Sequence, residues 1–217
     1  MTDTAAAAPP TRSARKRQTI LAASQALFLS NGYQGTSVDQ IAASAGVSKQ
    51  TVYKHFGDKQ ELLFAIVSDA LDTTVGVIRE RIAALAHTTD LETDLTALAD
   101  GYLRAVLQEP VVQLRRLVIG EANRLPALAK LYYDHAPGRT LAAFADCFRQ
   151  LHDRGLLHVP EPAVAAEHFA FLIVGRAIDQ ALFYGGPDVL AGLDPARYVG
   201  AGVEVFLAGY RARPAAG

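Results

Sequence analysis

The side chains best suited to chemistry in this sequence form one short run that begins at residue 49. They supply ammonium, amide, hydroxyl, phenol and imidazole groups, carried by Lys49, Gln50, Thr51, Tyr53, Lys54 and His55. Groups of these types bond to phosphates and contact base edges in the major groove of DNA. The run therefore favours contact with nucleic acid, although each residue alone is also typical of an ordinary helix surface.

Two short helices and a tight turn are predicted to position this run. Ser37 and Gln40 have the spacing of a capping box, so a helix should begin at Ser37. That helix ends before Gly46, which supplies the positive φ that a tight turn needs. Ser48 can cap a second helix, Lys49–Phe56. Two such helices, joined by a turn of roughly three or four residues that contains glycine, form a helix-turn-helix unit.

The charge of the chain is unevenly distributed. The formal net charge is −1, with +4 in residues 1–59 and −5 in residues 60–217. This asymmetry indicates that only the N-terminal part meets a polyanion, although a solvated charged surface gives the same numbers. Four cations before the motif are further candidate phosphate contacts, or a solubilising run: Arg12, Arg15, Lys16 and Arg17.

The rest of the sequence predicts an all-α protein. Apolar residues recur at helical spacing, and no strand pattern with period-two alternation is present. Pro110 ends one predicted helix, whereas Pro137, Pro162 and Pro195 open others. We expect about nine helices with short connections.

Catalytic and metal chemistry have poor candidates. Cys147, the single cysteine, and His152 would lie about 140° apart on one helix. His152 and His158 straddle Gly155 without a third metal ligand at a convincing spacing. The sequence has no phosphate loop, nucleophile elbow or dinucleotide fingerprint. We predict no catalytic residue, metal or cofactor, and keep an all-α enzyme or ligand carrier as a distant alternative.

The sequence also predicts a cytoplasmic protein without a membrane segment. The N-terminus has no apolar leader, and charges or helix breakers interrupt each long apolar run. One cysteine excludes intrachain disulfides and fits a reducing compartment.

The stretch from Gly32 to Lys59 resembles the DNA-binding domain of the TetR/AcrR family of transcriptional regulators. The matching residues are Gly32-Tyr33, Thr36-Ser37-Val38, Ile41-Ala42, Ala45-Gly46-Val47-Ser48, Val52-Tyr53, His55-Phe56 and Lys59. Residues 114–139 are similar to the body of the AefR-like subgroup. Many members have a small residue or proline in place of Gln50, so the resemblance implies no base preference there.

The resemblance implies roles for ten residues. Those that would hold phosphates are Thr36, Ser37 and Lys59. Those that would fix the register on the DNA backbone are Ser48, Tyr53 and His55. Those that would face base edges are Lys49, Gln50, Thr51 and Lys54.

The resemblance also implies a division of the chain and a mode of action. The expected parts are a disordered arm (1–11), a DNA-binding domain (12–58, with the helix-turn-helix at about 37–56) and an effector-binding and dimerisation domain (59–213). The protein would bind a roughly palindromic stretch of double-stranded DNA as a homodimer formed through the last two long helices. It would act as a repressor that a small-molecule effector releases. An activator, or a DNA-binding protein without an effector, is the alternative.

The effector, whose identity the sequence does not reveal, would bind among the middle helices. Candidate lining residues are Tyr102, Phe144 and Phe148, although aromatic residues at helical spacing are core more often than pocket. Arg115, Arg116 and Glu121 could anchor a charged effector, but ion pairing at the surface or within the structure is the favoured explanation.

Overall fold

The computed structural model describes residues 11–212, without the side chains of Thr73 and Thr74. Most of the predicted disordered arm therefore lies outside the described residues. Its last residue, Thr11, caps the first helix by accepting a hydrogen bond from the Ala14 amide at 3.2 Å.

The described residues form twelve α-helical segments and two π-helical turns. The α-helices are α1 (Arg12–Asn31), α2 (Val38–Ser44), α3 (Lys49–Phe56), α4 (Lys59–Leu85), α5 (Leu91–Val106), α6 (Glu109–Glu121), α7 (Pro126–Tyr133), α8 (Arg139–Asp153), α9 (Pro162–Ala170), α10 (Arg176–Tyr184), α11 (Gly186–Ala191) and α12 (Pro195–Tyr210). The π turns are π1 (Asp134–Gly138), between α7 and α8, and π2 (Phe171–Gly175), between α9 and α10. Over residues 11–212 there is no strand, only one isolated bridge between Leu157 and Arg211, so the all-α prediction is confirmed.

The chain divides into two compact units inside α4. We call the unit Met1–Val67 the head and the unit Ser68–Gly217 the body. None of the described helices is long and apolar enough to span a membrane.

The head has its own apolar core, which α1, α2, α3 and the start of α4 supply. The core side chains are nearly inaccessible to solvent and include Ile20, Phe28, Ile41, Val52, Phe56, Leu62 and Leu63. Because the two short helices bury only one side each, the opposite side of each helix stays in contact with water.

The body core is built around an aromatic cluster on α8, α9 and α12. Phe148 contacts Phe144, Phe169 and Phe206, with ring centroids 5.7, 5.5 and 5.0 Å apart respectively. All four rings are buried. Stacked, tilted and edge-on ring pairs at these distances add packing energy beyond that of area burial.

The prediction that Pro137 opens a helix is wrong. Pro137 lies inside π1, and the helical backbone continues from α7 into α8. A proline within an α-helix clashes with the carbonyl four residues earlier. The π turn removes this conflict because it pairs residues five apart.

Candidate nucleic-acid interface and effector cavity

The turn between α2 and α3 has the predicted geometry. The Ser37 hydroxyl oxygen accepts a hydrogen bond from the Gln40 amide at 3.2 Å, and the Ser37 amide donates to Gln40 Oε1 at 2.7 Å. Gly46 has a φ of +63°, in the left-handed region. The capping box and the glycine turn are thus both confirmed.

The outward side of α3 presents polar groups, and its inward side is apolar. Val52 and Phe56 are buried in the head core, whereas Gln50, Tyr53 and Lys54 are exposed. Tyr53 keeps 42% of its surface accessible, so its phenol is available to a ligand. The α3 bounds place these three residues within about one turn of helix, as a groove-reading surface requires.

The other predicted residues of α3 have partners within the head. Lys49 Nζ lies 2.9 Å from Asp39 Oδ2, and this exposed carboxylate raises the pKa of Lys49. The Ser48 hydroxyl oxygen accepts from the Thr51 amide at 3.2 Å and lies 2.8 Å from Thr51 Oγ1. His55 is half-buried. Lys49 thus forms an ion pair, and Ser48 and Thr51 form the cap of α3, next to the exposed side of that helix.

Thr36 and Lys59 are used inside the head. Thr36 is 1% exposed, and its hydroxyl donates towards the carbonyl oxygens of Leu27 and Gly32. Lys59 Nζ donates to the carbonyl oxygens of Tyr33 and Thr36 at 2.7 and 2.8 Å. The Lys59 ammonium also lies 4.2 Å from the centroid of the Tyr33 ring. This geometry gives both side chains a structural role within the head, and their phosphate contacts stay a prediction.

The four additional cations lie on the first turns of α1 and are exposed: Arg12, Arg15, Lys16 and Arg17. The Arg17 guanidinium carbon also lies 5.1 Å from the centroid of the Phe56 ring, which links α1 to α3. A phosphate contact by these cations stays a prediction.

The body contains a mostly apolar cavity of about 150 Å³. Its walls come from α4 to α10, including both π turns: Leu71, Val75, Ile78, Tyr102, Ala105, Val106, Val111, Arg115, Tyr132, Tyr133, Ala136, Pro137, Thr140, Leu141, Ala170, Phe171, Val174, Gly175 and Ile178. A concave, mostly apolar space with a few polar groups is the usual form of a small-molecule site.

Of the three predicted lining residues, only Tyr102 reaches this cavity. Burial raises the pKa of Tyr102 to about 12, while the positive charge of Arg115 acts in the opposite direction. Phe144 and Phe148 do not line this cavity and are fully buried in the aromatic cluster, so an effector contact by either stays a prediction. Helical spacing identifies inward-facing residues but does not separate a packed interior from a cavity wall. Tyr132 and Thr140 were missed because no sequence signal marks them.

Sequence models of known families match both parts of the chain. Residues 20–66 match the tetR family of bacterial regulatory proteins. Residues 93–212 match the C-terminal domain of AefR-like transcriptional repressors. The chain belongs to the TetR family. It is therefore a DNA-binding transcriptional regulator of the helix-turn-helix type.

Solved structures of TetR-family proteins have the same fold. A TetR-family transcriptional regulator from Mesorhizobium loti is 36% identical, with a TM-score of 0.84 over 93% of this chain and 100% of that one. The flavonoid-responsive regulator FrrA is 26% identical, with a TM-score of 0.69 over 92% of this chain and 99% of that one.

A further relative is the transcriptional activator FasR of Mycolicibacterium smegmatis. It is 37% identical over 91 residues, which cover 42% of this chain and 40% of the activator. The match thus spans less than half of that relative's length.

TetR-family regulators bind DNA and are typically dimeric, with small-molecule ligands. In this TetR-family chain α9, π2, α10 and α12 carry several exposed large apolar side chains. We call this set the apolar face; its members are Val164, Phe171, Leu172, Phe183, Tyr184 and Val205. By contrast, Phe169, Val203 and Phe206 on the same helices are buried within the body.

The side chains considered as catalytic candidates, Cys147 and His152, are buried or lie close to backbone atoms. Cys147 is 2% exposed, and burial raises the pKa of its thiol to about 12. His152 Nδ1 lies 3.1 Å from the carbonyl oxygen of Leu157 and 3.3 Å from the amide of Val159. Within residues 11–212, no group of three or more acidic, histidine or cysteine side chains could hold a metal ion.

Proposed function

We propose that this TetR-family regulator is a homodimeric repressor that a small-molecule effector releases from a roughly palindromic operator. The observation that carries the proposal is the outward side of α3, where Gln50, Tyr53 and Lys54 are exposed on a capped helix. In this proposal residues 12–58 bind DNA in the cytoplasm, and residues 59–213 bind the effector and dimerise. The chain performs no catalytic step.

The proposed DNA contacts divide by chemistry. Residues that position the head on phosphates are Ser37, Ser48, Tyr53 and His55, and residues that face base edges are Lys49, Gln50, Thr51 and Lys54. Asp39 competes with a phosphate for the Lys49 ammonium. Thr36 and Lys59 act indirectly, since they hold the end of α1 against the start of α4 within the head.

The dimer forms through the apolar face. Exposed apolar patches of this kind mark protein interaction surfaces. A two-fold axis places the two α3 helices on half-sites about 34–36 Å apart, or a multiple of that spacing. Phe183→Glu should convert the dimer to a monomer in sedimentation analysis, whereas Ile119→Glu, at an exposed residue of α6, should leave it dimeric.

Helix α4 couples effector binding in the body to the position of the head. Leu71, Val75 and Ile78 of this helix line the cavity, while Lys59 at its start bonds within the head. A ligand that binds one arrangement of α4 more tightly shifts the population towards it, and the two heads then no longer match the half-sites.

The DNA-binding proposal is tested by gel shift and footprinting on the DNA that flanks the gene, with non-specific competitor present. The intact protein should protect a palindromic site. Lys54→Ala and Tyr53→Ala should weaken binding without changing the circular dichroism spectrum, since both side chains are exposed. Lys130→Ala, which removes an exposed lysine from the body, is the matched control. Unchanged operator affinity in both α3 variants contradicts the proposed interface.

Activation is the second candidate, because the relative FasR is an activator. Repression is favoured by the AefR-like repressor family that matches residues 93–212. A reporter behind the footprinted site separates them: deletion of the gene raises expression under repression and lowers it under activation.

A further inference from the structure

The cavity of the body contains one charged side chain, that of Arg115. Arg115 is half-buried on α6, and its guanidinium has neither an ion pair nor a hydrogen bond within residues 11–212. Its neighbour Arg116 is used differently, since Nε and Nη2 donate to the carbonyl oxygens of Leu182 and Ala181 at 2.9 and 2.8 Å. Arg116 therefore has a structural role, and the donors of Arg115 are available to a ligand.

Three hydroxyl groups in the cavity wall also lack a protein acceptor. Tyr102, Tyr132 and Thr140 are buried, and none of their hydroxyls forms a hydrogen bond in the described part of the chain. Elsewhere in the protein, helical threonines donate to a carbonyl one turn earlier, as Thr96 does to Glu92 at 2.7 Å. None of the three hydroxyl oxygens is fully enclosed by protein, so all three border accessible space in the cavity and are available to a polar ligand.

The electrostatics of the site favour a negative charge on that ligand. No acidic side chain lines the cavity. The positive charge of Arg115 acts to lower the pKa of both Tyr102 and Tyr132, which burial raises. Arg115 is thus close enough to influence both phenols, and an anion between them would contact a cation and two hydroxyl donors.

The rest of the wall sets the size and shape of the ligand. Apart from these polar groups the wall is mostly apolar and includes Val75, Ile78 and Val174. A cavity of about 150 Å³ accommodates a benzene ring. Both π turns contribute to the wall, and such turns occur frequently at functional sites.

We propose that the effector is a small aromatic carboxylic acid bound as its anion. Its carboxylate pairs with the planar guanidinium of Arg115 in the two-bond geometry that Arg and carboxylates share. The hydroxyls of Tyr102, Tyr132 and Thr140 donate to the remaining lone pairs, and the ring occupies the apolar part of the cavity. This inference rests on the proposed effector function and specifies its ligand class.

The test compares a fluorinated benzoate with the corresponding fluorinated benzamide, which has the same shape and no charge. Ligand-observed fluorine NMR on the full chain, without DNA, measures both Kd values. We expect the acid to bind at least tenfold more tightly than the amide. Arg115→Met should remove this preference by weakening acid binding at least tenfold while amide binding stays the same. Arg149→Gln, which removes an exposed guanidinium from α8, is the control and should change neither Kd.

Thr140→Val removes a hydroxyl from the cavity wall but keeps the side-chain shape. This variant serves as the test if Arg115→Met fails to fold. It should weaken acid binding at least threefold without affecting the amide. Equal Kd values for acid and amide, a preference that survives in Arg115→Met, or no binding of either compound each overturns the inference.

A gel shift with the same compounds keeps the two proposals distinct. An acid that binds through Arg115 but leaves the operator complex intact supports the site and contradicts the effector function. Operator release by another compound, with no acid binding, supports the effector function and overturns the ligand class.

Discussion

Exchanging Lys59 for methionine distinguishes a lysine that holds the head together from one that binds DNA. The Lys59 ammonium donates to two carbonyl oxygens, at 2.7 and 2.8 Å, and lies over the Tyr33 ring. Methionine has a similar length but provides no donor and no charge. Lys54→Met is the matched comparison, because Lys54 is exposed on α3.

The magnitude follows from the bonds that are lost. Hydrogen bonds to charged groups contribute about 1.5–3 kcal/mol each, and the cation over the ring adds about 0.5–1 kcal/mol. Because both bonds are only partly buried, water can replace some of this interaction. We therefore expect Lys59→Met to lower the free energy of unfolding by about 2–4 kcal/mol, which is mostly below the full sum of about 3.5–7 kcal/mol. Lys54→Met should leave it unchanged, as exposed substitutions usually do.

Two measurements check this expectation. Urea unfolding, together with hydrogen exchange of peptides that cover α2 and α3, reports the stability of the head. Fluorescence anisotropy with an operator duplex, over the range of about 50–200 mM salt, reports phosphate contacts through the slope of log K against log salt. Each lost phosphate contact reduces the slope by about 0.9, so exchanging the two Lys59 residues of a dimer would reduce it by about 2 if they contacted phosphates.

Lys59→Met should keep the slope of the intact protein at temperatures where the head stays folded. A Lys59→Met protein with unchanged stability and a reduced slope would refute the structural role and restore the phosphate contact implied by the family resemblance.

Three further changes test other parts of the structure. Gly46→Ala should cost about 1–2 kcal/mol of unfolding free energy in urea titration, because alanine is strained at a φ of +63° although its Cβ would have open space; a stable variant would contradict the turn geometry. Phe148→Ala should cost about 3–5 kcal/mol by calorimetry, since it opens the centre of the aromatic cluster, and an exposed site would show almost no loss. Alkaline pH should destabilise the protein: the folded pKa of Tyr102 is about 12 and the unfolded value about 10, so stability is complete below pH 10 and falls towards pH 12 by up to about 1.4 kcal/mol per unit. Tyr102→Phe should show a shallower decline in unfolding free energy over that window, and an identical decline would show that this phenol is not buried.

Local signals in the sequence were sufficient for the head. The caps at Ser37 and Ser48 and the positive φ of Gly46 depend on neighbouring residues, so their spacing predicted α2 and α3 closely. The internal roles of Thr36 and Lys59 depend on residues up to 26 positions away, which no local pattern contains.

The sequence predicted the helices of the body but not which of their residues line the cavity. Apolar periodicity marked Tyr102 and Phe144 as inward, and their rings do meet edge-on at 5.4 Å. Only one of the two borders the cavity, because that distinction depends on how several helices pack together. The difference between Arg115 and Arg116 likewise depends on carbonyls of α10, more than sixty residues further along the chain.

The π2 turn shifts the phase of the helix that contains it. In an uninterrupted α-helix Phe171 and Phe183 would be about 120° apart around the axis; with one residue absorbed by the π turn they are about 20° apart. The turn therefore aligns two exposed rings on a single line of the apolar face. If this turn became regular α-helix with the chain length unchanged, Phe183 would rotate by about 100° away from that line. The π turn, in addition to the identity of the exposed residues, therefore specifies which surface a second subunit would meet.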